Sequence, residues 1–234
     1  MFRLALALCA ALVPAAAQAA ALAVVLAVDV SASVGADAYL LERDGIAGAF
    51  ADPRLGSAIE ALGGGIEAMV LEWSDPEAIA IAVDWRPIAD ARGAAAFAAS
   101  VHAARRSSRG LTAIGPALLA AAQQFDRLPQ PAARRVIDLS GDGIANLGLP
   151  PAAARDRIVA AGITINGLAI LAAEPWLEDY YRSEIIGGAG AFVVAAKSEA
   201  GFARAMLRKL VAEVAGTRPA PRSAAKAAAA HQMQ

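Results

Sequence analysis

The sequence is poor in the residues that build disulfide frameworks and histidine-based sites. Among its 234 residues there is one cysteine, Cys9, and there are two histidines, His102 and His231. A single cysteine excludes an internal disulfide framework and a cysteine-rich metal site. His102 falls in an alanine-rich helical stretch and His231 in an alanine-rich tail, so neither has the surroundings of a catalytic base.

The chain also lacks an excess of charge of either sign. Lysine and arginine number 21 and the acidic residues 22, which gives a formal net charge of −1. Proteins that bind nucleic acid usually carry a basic patch or a strong positive balance, so we expect no nucleic-acid partner. The sequence has neither a Walker-type Gly-Lys-Ser/Thr loop nor a Gly-x-Gly-x-x-Gly motif after its first predicted strand, which disfavours a nucleotide-binding loop.

The first nineteen residues have the pattern of a secretory signal peptide. Arg3 supplies a positive start, Leu4–Val13 is an apolar core, and Ala17-Gln18-Ala19 fits an Ala-x-Ala cleavage site. We therefore predict a signal peptide over residues 1–19 and a periplasmic or secreted mature chain. Cleavage would also remove Cys9, which suits an oxidising compartment.

The alternative is a retained membrane anchor, because residues 4–28 are long enough to cross a bilayer. Pro14, Gln18 and the weak hydrophobicity of alanine disfavour an anchor. An anchor would also include the apolar run that ends at Asp29, and that run would then not be available as a strand. We expect no stable membrane span after cleavage.

The rest of the chain is organised around the stretch Ala21–Gly35. Its Val- and Leu-rich first part is too short for a globular helix and is typical of a parallel strand buried on both faces. Asp29, Ser31 and Ser33 follow at its carboxyl end, where ligands bind in open α/β sheets. One carboxylate and two hydroxyls form a partial oxygen site of the kind that Mg²⁺ or Mn²⁺ prefers. The alternative is ordinary turn chemistry, with Ser33 capping the next helix.

Strand and helix patterns alternate along the remaining chain. Helices are predicted over 37–50, 90–104, 112–125, 150–161, 174–186 and 198–214, the last capped by Ser198, and strands over 66–73, 78–85, 134–139, 163–171 and 191–194. Asp52-Pro53 breaks the first helical pattern. The turn between strands 66–73 and 78–85 is so short that they must pair as an antiparallel hairpin. We therefore predict a Rossmann-like, doubly wound α/β fold, with a mostly parallel sheet, one antiparallel edge strand and helices on both faces.

A second acidic residue follows another buried strand. Asp142 lies in Ser140-Gly-Asp-Gly143, after a strand that a doubly wound sheet would place beside the first one. Asp142 would then face Asp29 across the crevice, and an Asp-Gly turn is the alternative. Asp138, within the strand, is a weaker candidate as an inward-facing or supporting polar group. Asn146 either orients water at the site or forms the loop.

A third hydroxyl comes from Thr112, in the loop before or at the start of the next helix. Thr112 either faces the site of Asp29 or caps that helix. The polar loop before it carries three arginines: Arg105, Arg106 and Arg109. We interpret these as part of a solvated loop, and the alternative is that they steer an acidic ligand.

Together these pieces resemble the metal-ion-dependent adhesion site (MIDAS) of von Willebrand factor A (vWA) domains. Asp29-x-Ser31-x-Ser33, then Thr112, then Asp142 match that site in order and approximate separation. The order of strands and helices matches across about residues 21–215. Within that superfamily, three segments are similar to a bacterial secreted family of unknown function, DUF1194: Asp29-Val-Ser-Ala-Ser, Thr112-Ala-Ile-Gly and Ser140-Gly-Asp-Gly.

The resemblance implies a divalent cation, Mg²⁺ (or Mn²⁺ or Ca²⁺), above the carboxyl ends of the strands. Ser31, Ser33 and Thr112 would coordinate the ion directly or through water. Asp29 and Asp142 would hold it in the same two ways. An open coordination position would then accept the Asp or Glu carboxylate of a protein partner, which describes a binding module rather than an enzyme.

The alternative function is a metal-dependent hydrolase or phosphoryl-transfer enzyme of α/β fold, because two acids around Mg²⁺ can serve phosphates. The absence of a well-placed histidine favours the binding module. A structural domain with a vestigial site is a third alternative, which the full set of polar residues disfavours. We place the vWA-like domain over residues 20–215 and a disordered Ala- and Pro-rich tail over 216–234.

Overall fold

A six-stranded sheet with helices around it organises the protein, and the computed structural model describes residues 19–172 and 174–217. The strands are β1 (Leu22–Asp29), β2 (Ile66–Trp73), β3 (Ile79–Ile88), β4 (Arg135–Gly141), β5 (Thr164–Ile170) and β6 (Val193–Ala196). The helices are α1 (Ala36–Ala51), α2 (Pro53–Glu60), α3 (Ala91–Ala103), α4 (Ile114–Gln123), α5 (Pro151–Ala160), α6 (Leu177–Tyr180) and α7 (Phe202–Val214).

The strand order is β3-β2-β1-β4-β5-β6, with only β3 antiparallel to its neighbour. From β1 the chain builds outward on one side to β3, then returns to β4 and builds outward on the other side. The order therefore reverses between β1 and β4, which is where ligands bind in doubly wound sheets. This topology confirms the predicted mostly parallel sheet with one antiparallel edge strand.

The first strand is buried on both faces, which explains its unbroken apolar sequence. Leu22, Val24, Leu26 and Val28 join a core with residues of α1, α2, α3 and α7. Ala23, Val25 and Ala27 join a second core with residues of α4, α5 and α6. Small alanines on the second face allow the bulky Trp73, Leu118 and Tyr181 to pack in the same core.

Three local predictions differ from the structure. The chain breaks at Asp52 as expected, but α2 begins at once, because Asp52 caps it by accepting from the Arg54 amide at 2.9 Å. The predicted helix 174–186 is only the short α6 followed by a π-helical turn over Tyr181–Ile185. Ser198 makes no capping hydrogen bond through its side chain, since a 3₁₀ turn over Glu199–Gly201 precedes α7.

Among the residues that the structure describes, no helix has both the length and the apolar character needed to cross a membrane. The predicted signal peptide lies outside these residues except for Ala19. The predicted tail lies outside them except for Gly216 and Thr217. Both remain predictions from sequence.

Candidate functional site

In the loop after β1, a backbone amide donates a hydrogen bond to the aspartate that ends the strand. The Ser31 amide donates to Asp29 Oδ1 at 2.7 Å, so part of the expected turn chemistry is present. The other oxygen, Asp29 Oδ2, is buried and has no hydrogen-bond partner. A buried carboxylate oxygen without a partner is costly, which makes this atom a candidate ligand for a cation.

A chain of side-chain hydrogen bonds joins this loop to Asp142. The hydroxyls of Ser31 and Ser33 lie 3.1 Å apart, and Ser33 Oγ donates to Asp142 Oδ1 at 2.7 Å. Ser33 therefore does not cap the next helix, whose N-cap residue is Gly35. Asp142 is more than a residue of a local Asp-Gly turn, because it contacts a side chain 109 positions away in sequence.

Thr112 reaches the same edge of the sheet through Asn146. The Thr112 amide donates to Asn146 Oδ1 at 2.8 Å, and the Asn146 amide donates to the Thr112 carbonyl at 3.0 Å. Thr112 is not a helix cap, since α4 has Ala113 at that position and no side-chain cap. Across residues 19–172 and 174–217, no hydrogen bond joins the Thr112 hydroxyl to the other four predicted ligands. Asn146 thus has a loop-forming role.

Burial raises the pKa values of two acids at this edge, Asp29 and Glu42. Burial raises the pKa of Asp29 to about 7, and the nearby Asp142 carboxylate adds to the increase, while hydrogen bonds from Ser31 oppose it. Glu42 on α1 is also buried, with Oε2 unpartnered. Burial raises its pKa well above the usual value, and Asp29 and Asp142 add to the shift. Burial therefore disfavours the ionised form of these two carboxyls, and a bound cation would favour it.

A glycine is required beside Asp29. A Cβ atom on Gly141 would lie 2.8 Å from Asp29 Oδ2 and 2.9 Å from the Tyr181 hydroxyl oxygen. Both atoms are buried without hydrogen-bond partners. Any larger residue at position 141 would therefore displace the carboxylate or the phenol.

Arg106 holds the serine loop from the other side, a role that the sequence analysis missed. Its guanidinium donates to the carbonyls of Val30 at 2.7 Å, Ser31 at 2.8 Å and Val34 at 2.8 Å. It also lies 5.6 Å from the ring centre of Tyr39. The interpretation of a solvated loop is therefore wrong for Arg106. Spacing alone does not show which of three neighbouring arginines turns inward.

Glu72, at the end of β2, bonds to two segments beside the serine loop: Tyr39 of α1 and the loop of Arg106. It accepts from the Tyr39 hydroxyl at 2.9 Å and from the Ser107 amide at 2.7 Å. Glu72 is almost fully buried, and a glutamate ending an apolar strand beside the first one was the available signal for this role. Arg106 and Glu72 together position the backbone that carries Ser31 and Ser33.

Asp138 lies away from this edge, on the face covered by α7. It pairs there with the buried amino group of Lys209, which also bonds Glu213 Oε1 at 2.7 Å. Asn166 Nδ2 donates to the same glutamate oxygen at 2.8 Å. Asp138 is thus an inward-facing polar group, and it belongs to a structural cluster rather than to the candidate site.

The donor set at the edge suits a hard divalent cation. Carboxylate and hydroxyl oxygens are ligands that Mg²⁺ and Mn²⁺ accept. Asp29 Oδ2 is buried and has no hydrogen-bond partner among the described residues. In the described part of the chain, no group of three or more His, Cys, Asp or Glu side chains is placed to hold a metal ion. The set of two aspartates with the hydroxyls of Ser31, Ser33 and Thr112 therefore stays a predicted ligand set.

The fold belongs to a known class. The six-stranded sheet with one antiparallel edge and flanking helices is the Rossmann-like fold of vWA domains. The model of the family described as "Protein of unknown function (DUF1194)" matches residues 19–218, and the chain belongs to that family. No curated protein matches the sequence.

Three solved structures illustrate the likeness. Proximal thread matrix protein 1 from the mussel byssus is 17% identical, with a TM-score of 0.62 over 85% of this chain and 49% of that one. The pilus adhesin SpaC from Lactobacillus rhamnosus GG is 12% identical, with a TM-score of 0.60 over 84% and 31%. A von Willebrand factor type A protein from Catenulispora acidiphila is 19% identical, with a TM-score of 0.58 over 84% and 43%.

At these identities the likeness shows the fold alone. The aligned part spans between about a third and a half of the length of those chains. The mussel protein has also been solved with a zinc-occupied MIDAS motif, at 16% identity and a TM-score of 0.59. Proteins of this fold therefore include one that holds a divalent cation at such a motif.

Proposed function

We propose that this protein is a periplasmic or secreted metal-dependent binding module and not an enzyme. In this proposal Asp29, Ser31, Ser33, Thr112 and Asp142 hold a divalent cation, Mg²⁺ or alternatively Mn²⁺ or Ca²⁺. A protein partner contributes an Asp or Glu carboxylate to the open coordination position.

The hydrogen bond between Ser33 and Asp142 carries the proposal. It brings the two separate motifs to one place at the switch point of the sheet. The buried Asp29 Oδ2 supports it, because within the described residues that oxygen has no hydrogen-bond partner and Asp29 has no salt bridge, whereas the buried Asp138 and Glu213 pair with Lys209. The matches to a matrix protein and a pilus adhesin are consistent with binding outside the cell.

The ligand set explains why an acidic partner would be attracted. Two carboxylates roughly neutralise a divalent cation, and neutral hydroxyls leave it electrophilic toward another carboxylate oxygen. Asp29 and Asp142 would bind the ion directly or through water, and the serines and Thr112 would complete the shell. Arg106 and Glu72 would keep the serine loop in place before the ion arrives.

The metal-dependent hydrolase has less support. His102 lies on α3, where its Nδ1 atom bonds Asp44 Oδ1 at 2.9 Å on the surface. It is therefore not placed as a general base for the cluster of Asp29 and Asp142.

Magnesium titration of the mature protein tests the proposal. Ligand binding to the folded state alone stabilises it by about 2.7 kcal/mol at a concentration one hundred times the Kd. We expect MgCl₂ to raise the melting temperature of the parent protein and of the Asp126→Asn control, since Asp126 is exposed on a remote turn. Asp142→Asn should lose the increase, and EDTA should reverse it. An equal response of the parent and Asp142→Asn proteins would contradict the proposal.

A further inference from the structure

Large apolar side chains are exposed beside the candidate metal site. Four of the seven large hydrophobic residues exposed in the described ranges lie in loops at the carboxyl ends of the strands. Their exposed fractions run from 37% to 51%. We call these four the apolar ridge: Leu111, Ile144, Leu147 and Trp176.

Hydrogen bonds hold the three loops of the apolar ridge side by side. The pair between Thr112 and Asn146 joins the loop of Leu111 to the loop of Ile144 and Leu147. The Ala145 amide donates to the Tyr180 hydroxyl at 3.2 Å, and the Tyr180 amide donates to the Trp176 carbonyl at 3.4 Å. These bonds join the loops that carry the ridge residues, and the loop of Ile144 and Leu147 also carries Asp142.

The loop bonded to the serine loop is basic. The loop of Arg105 and Arg109 runs along the serine loop, where the Ala32 amide donates to the Gly110 carbonyl at 2.8 Å. Both arginines are exposed, and neither forms a salt bridge among the residues that the structure describes. Arg106, between them in sequence, donates hydrogen bonds to backbone carbonyls of the serine loop. Exposed arginines therefore lie in the loop bonded to the serine loop, and exposed apolar residues lie in the loop of Asp142 and in the loops bonded to it.

We propose that the partner is a protein segment with an acidic residue flanked on one side by large apolar residues and on the other by a second acid. The first acid reaches the cation, the apolar residues pack on the ridge, and the second acid meets Arg105 and Arg109. This inference rests on the proposed function and adds the sequence character of the ligand. Apolar anchors around a polar centre are a common arrangement in protein interfaces.

The same exposed residues would suit a membrane surface, but the charges favour a protein. Glu174 and Asp179 flank Trp176 in sequence, and they would repel anionic lipid headgroups. Asp29 and Asp142, in the centre of the face, would be driven toward the apolar layer if the ridge inserted. A protein segment can present a carboxylate to the cation at the same point.

Selection from a displayed library of random peptides tests the inference on the mature, Mg²⁺-saturated protein. We expect the enriched peptides to contain Asp or Glu next to Leu, Ile, Phe or Trp. Trp176→Ser and Ile144→Ser should each weaken their binding by about tenfold or more. Leu41→Ser is the matched control, because Leu41 is as exposed as Trp176 but lies on α1, and it should change nothing.

The outcomes separate this inference from the proposed function. All variants should keep the parent response to Mg²⁺, and EDTA should release the selected peptides. Enriched peptides without the acidic and apolar pairing, no enrichment, or unchanged affinity in both ridge variants would overturn the inference while the metal response stands. Binding to vesicles of equal parts phosphatidylcholine and phosphatidylglycerol, lost in Trp176→Ser, would overturn it in favour of a membrane. A parent protein without a Mg²⁺ response would overturn both.

Discussion

Two groups of acidic side chains lie on opposite parts of this sheet, and they differ in the source of their positive charge. Under α7, Asp138 and Glu213 share the buried amino group of Lys209. At the carboxyl edge, Asp29 and Asp142 lie near Arg106, but that guanidinium is bonded to backbone carbonyls. The first group is ion-paired with its own lysine, whereas no salt bridge among the described residues joins Asp29 or Asp142 to a cation.

The difference indicates which cluster is structural. The acids under α7 meet a positive charge supplied by the fold, since Lys209 pairs with Asp138 and both Lys209 and Asn166 bond to Glu213 Oε1. A buried acid with an unpartnered oxygen, such as Asp29, costs free energy unless something from outside the chain binds it. We therefore expect the two clusters to respond differently to mutation, pH and divalent ions.

The largest expected effect comes from removing the internal cation. Lys209→Met leaves Asp138 and Glu213 buried together without a positive charge, and breaking a buried pair in this way costs about 3–5 kcal/mol. Urea unfolding should show this loss, and Arg204→Met, at an exposed position of α7, should stay close to the parent. A loss below about 1 kcal/mol would mean that Lys209 does not neutralise the cluster.

A smaller effect is expected at the edge. Arg106→Lys keeps the charge but not the planar fork that reaches the carbonyls of Val30, Ser31 and Val34. Unfolding should show a loss of about 1.5–3 kcal/mol, the range for hydrogen bonds to charged groups. Mg²⁺ affinity should also fall, because the serine loop is less fixed.

Arg105→Lys is the control for that change, since Arg105 is exposed and makes none of these bonds. If Arg106→Lys binds Mg²⁺ as tightly as the parent, the loop does not need Arg106 for metal binding.

Per pH unit, the smallest expected effect is a pH dependence of stability, to which Asp138 contributes together with the buried Asp29 and Glu42. Burial and the neighbouring Glu213 raise the pKa of Asp138 to about 8. The folded state therefore holds this proton more tightly than the unfolded chain, and its contribution to stability is lost as the pH rises from about 4 to about 8. For one titrating group, the free energy of unfolding changes by at most about 1.4 kcal/mol per pH unit.

Asp138→Asn should flatten the pH profile of the free energy of unfolding relative to the parent, and Asp126→Asn should run parallel to the parent. Equal slopes in all three proteins would show that Asp138 is ionised throughout. Unfolding should be measured in EDTA, so that metal binding at the edge does not contribute.

Most of the fold could be predicted from the sequence because burial leaves a simple pattern. The apolar run of β1 and the short turn between β2 and β3 determine a buried central strand and an antiparallel edge. The failures are at places where packing overrides the pattern. The region 174–186 has helical spacing, but its π-helical turn allows Tyr181 to lie fully buried against Gly167, where a Cβ would meet the ring at 2.7 Å.

The candidate site was predicted in part. The approach of Asp142 to Ser33 follows from strand order, since acids at the carboxyl ends of adjacent strands meet. The sequence is compatible with two roles for Asn146, orienting water or forming the loop, and its bonds with Thr112 show the second. Arg106 was missed, because which arginine turns inward depends on the position of backbone carbonyls from a distant loop. Whether the five predicted ligands hold a cation stays a prediction.

The sequence by itself determined the architecture and which polar residues follow the buried strands, because strand burial and loop placement are set by residues close together in the chain. Only the tertiary structure decided which charges are satisfied internally. Lys209 and Asp138 are distant in sequence and become partners through the packing of α7 on the sheet, whereas within the described residues no salt bridge pairs a lysine with Asp29 or Asp142. Whether a buried acid is neutralised depends on which charged groups lie near it in space. The order of residues along the chain does not give those distances.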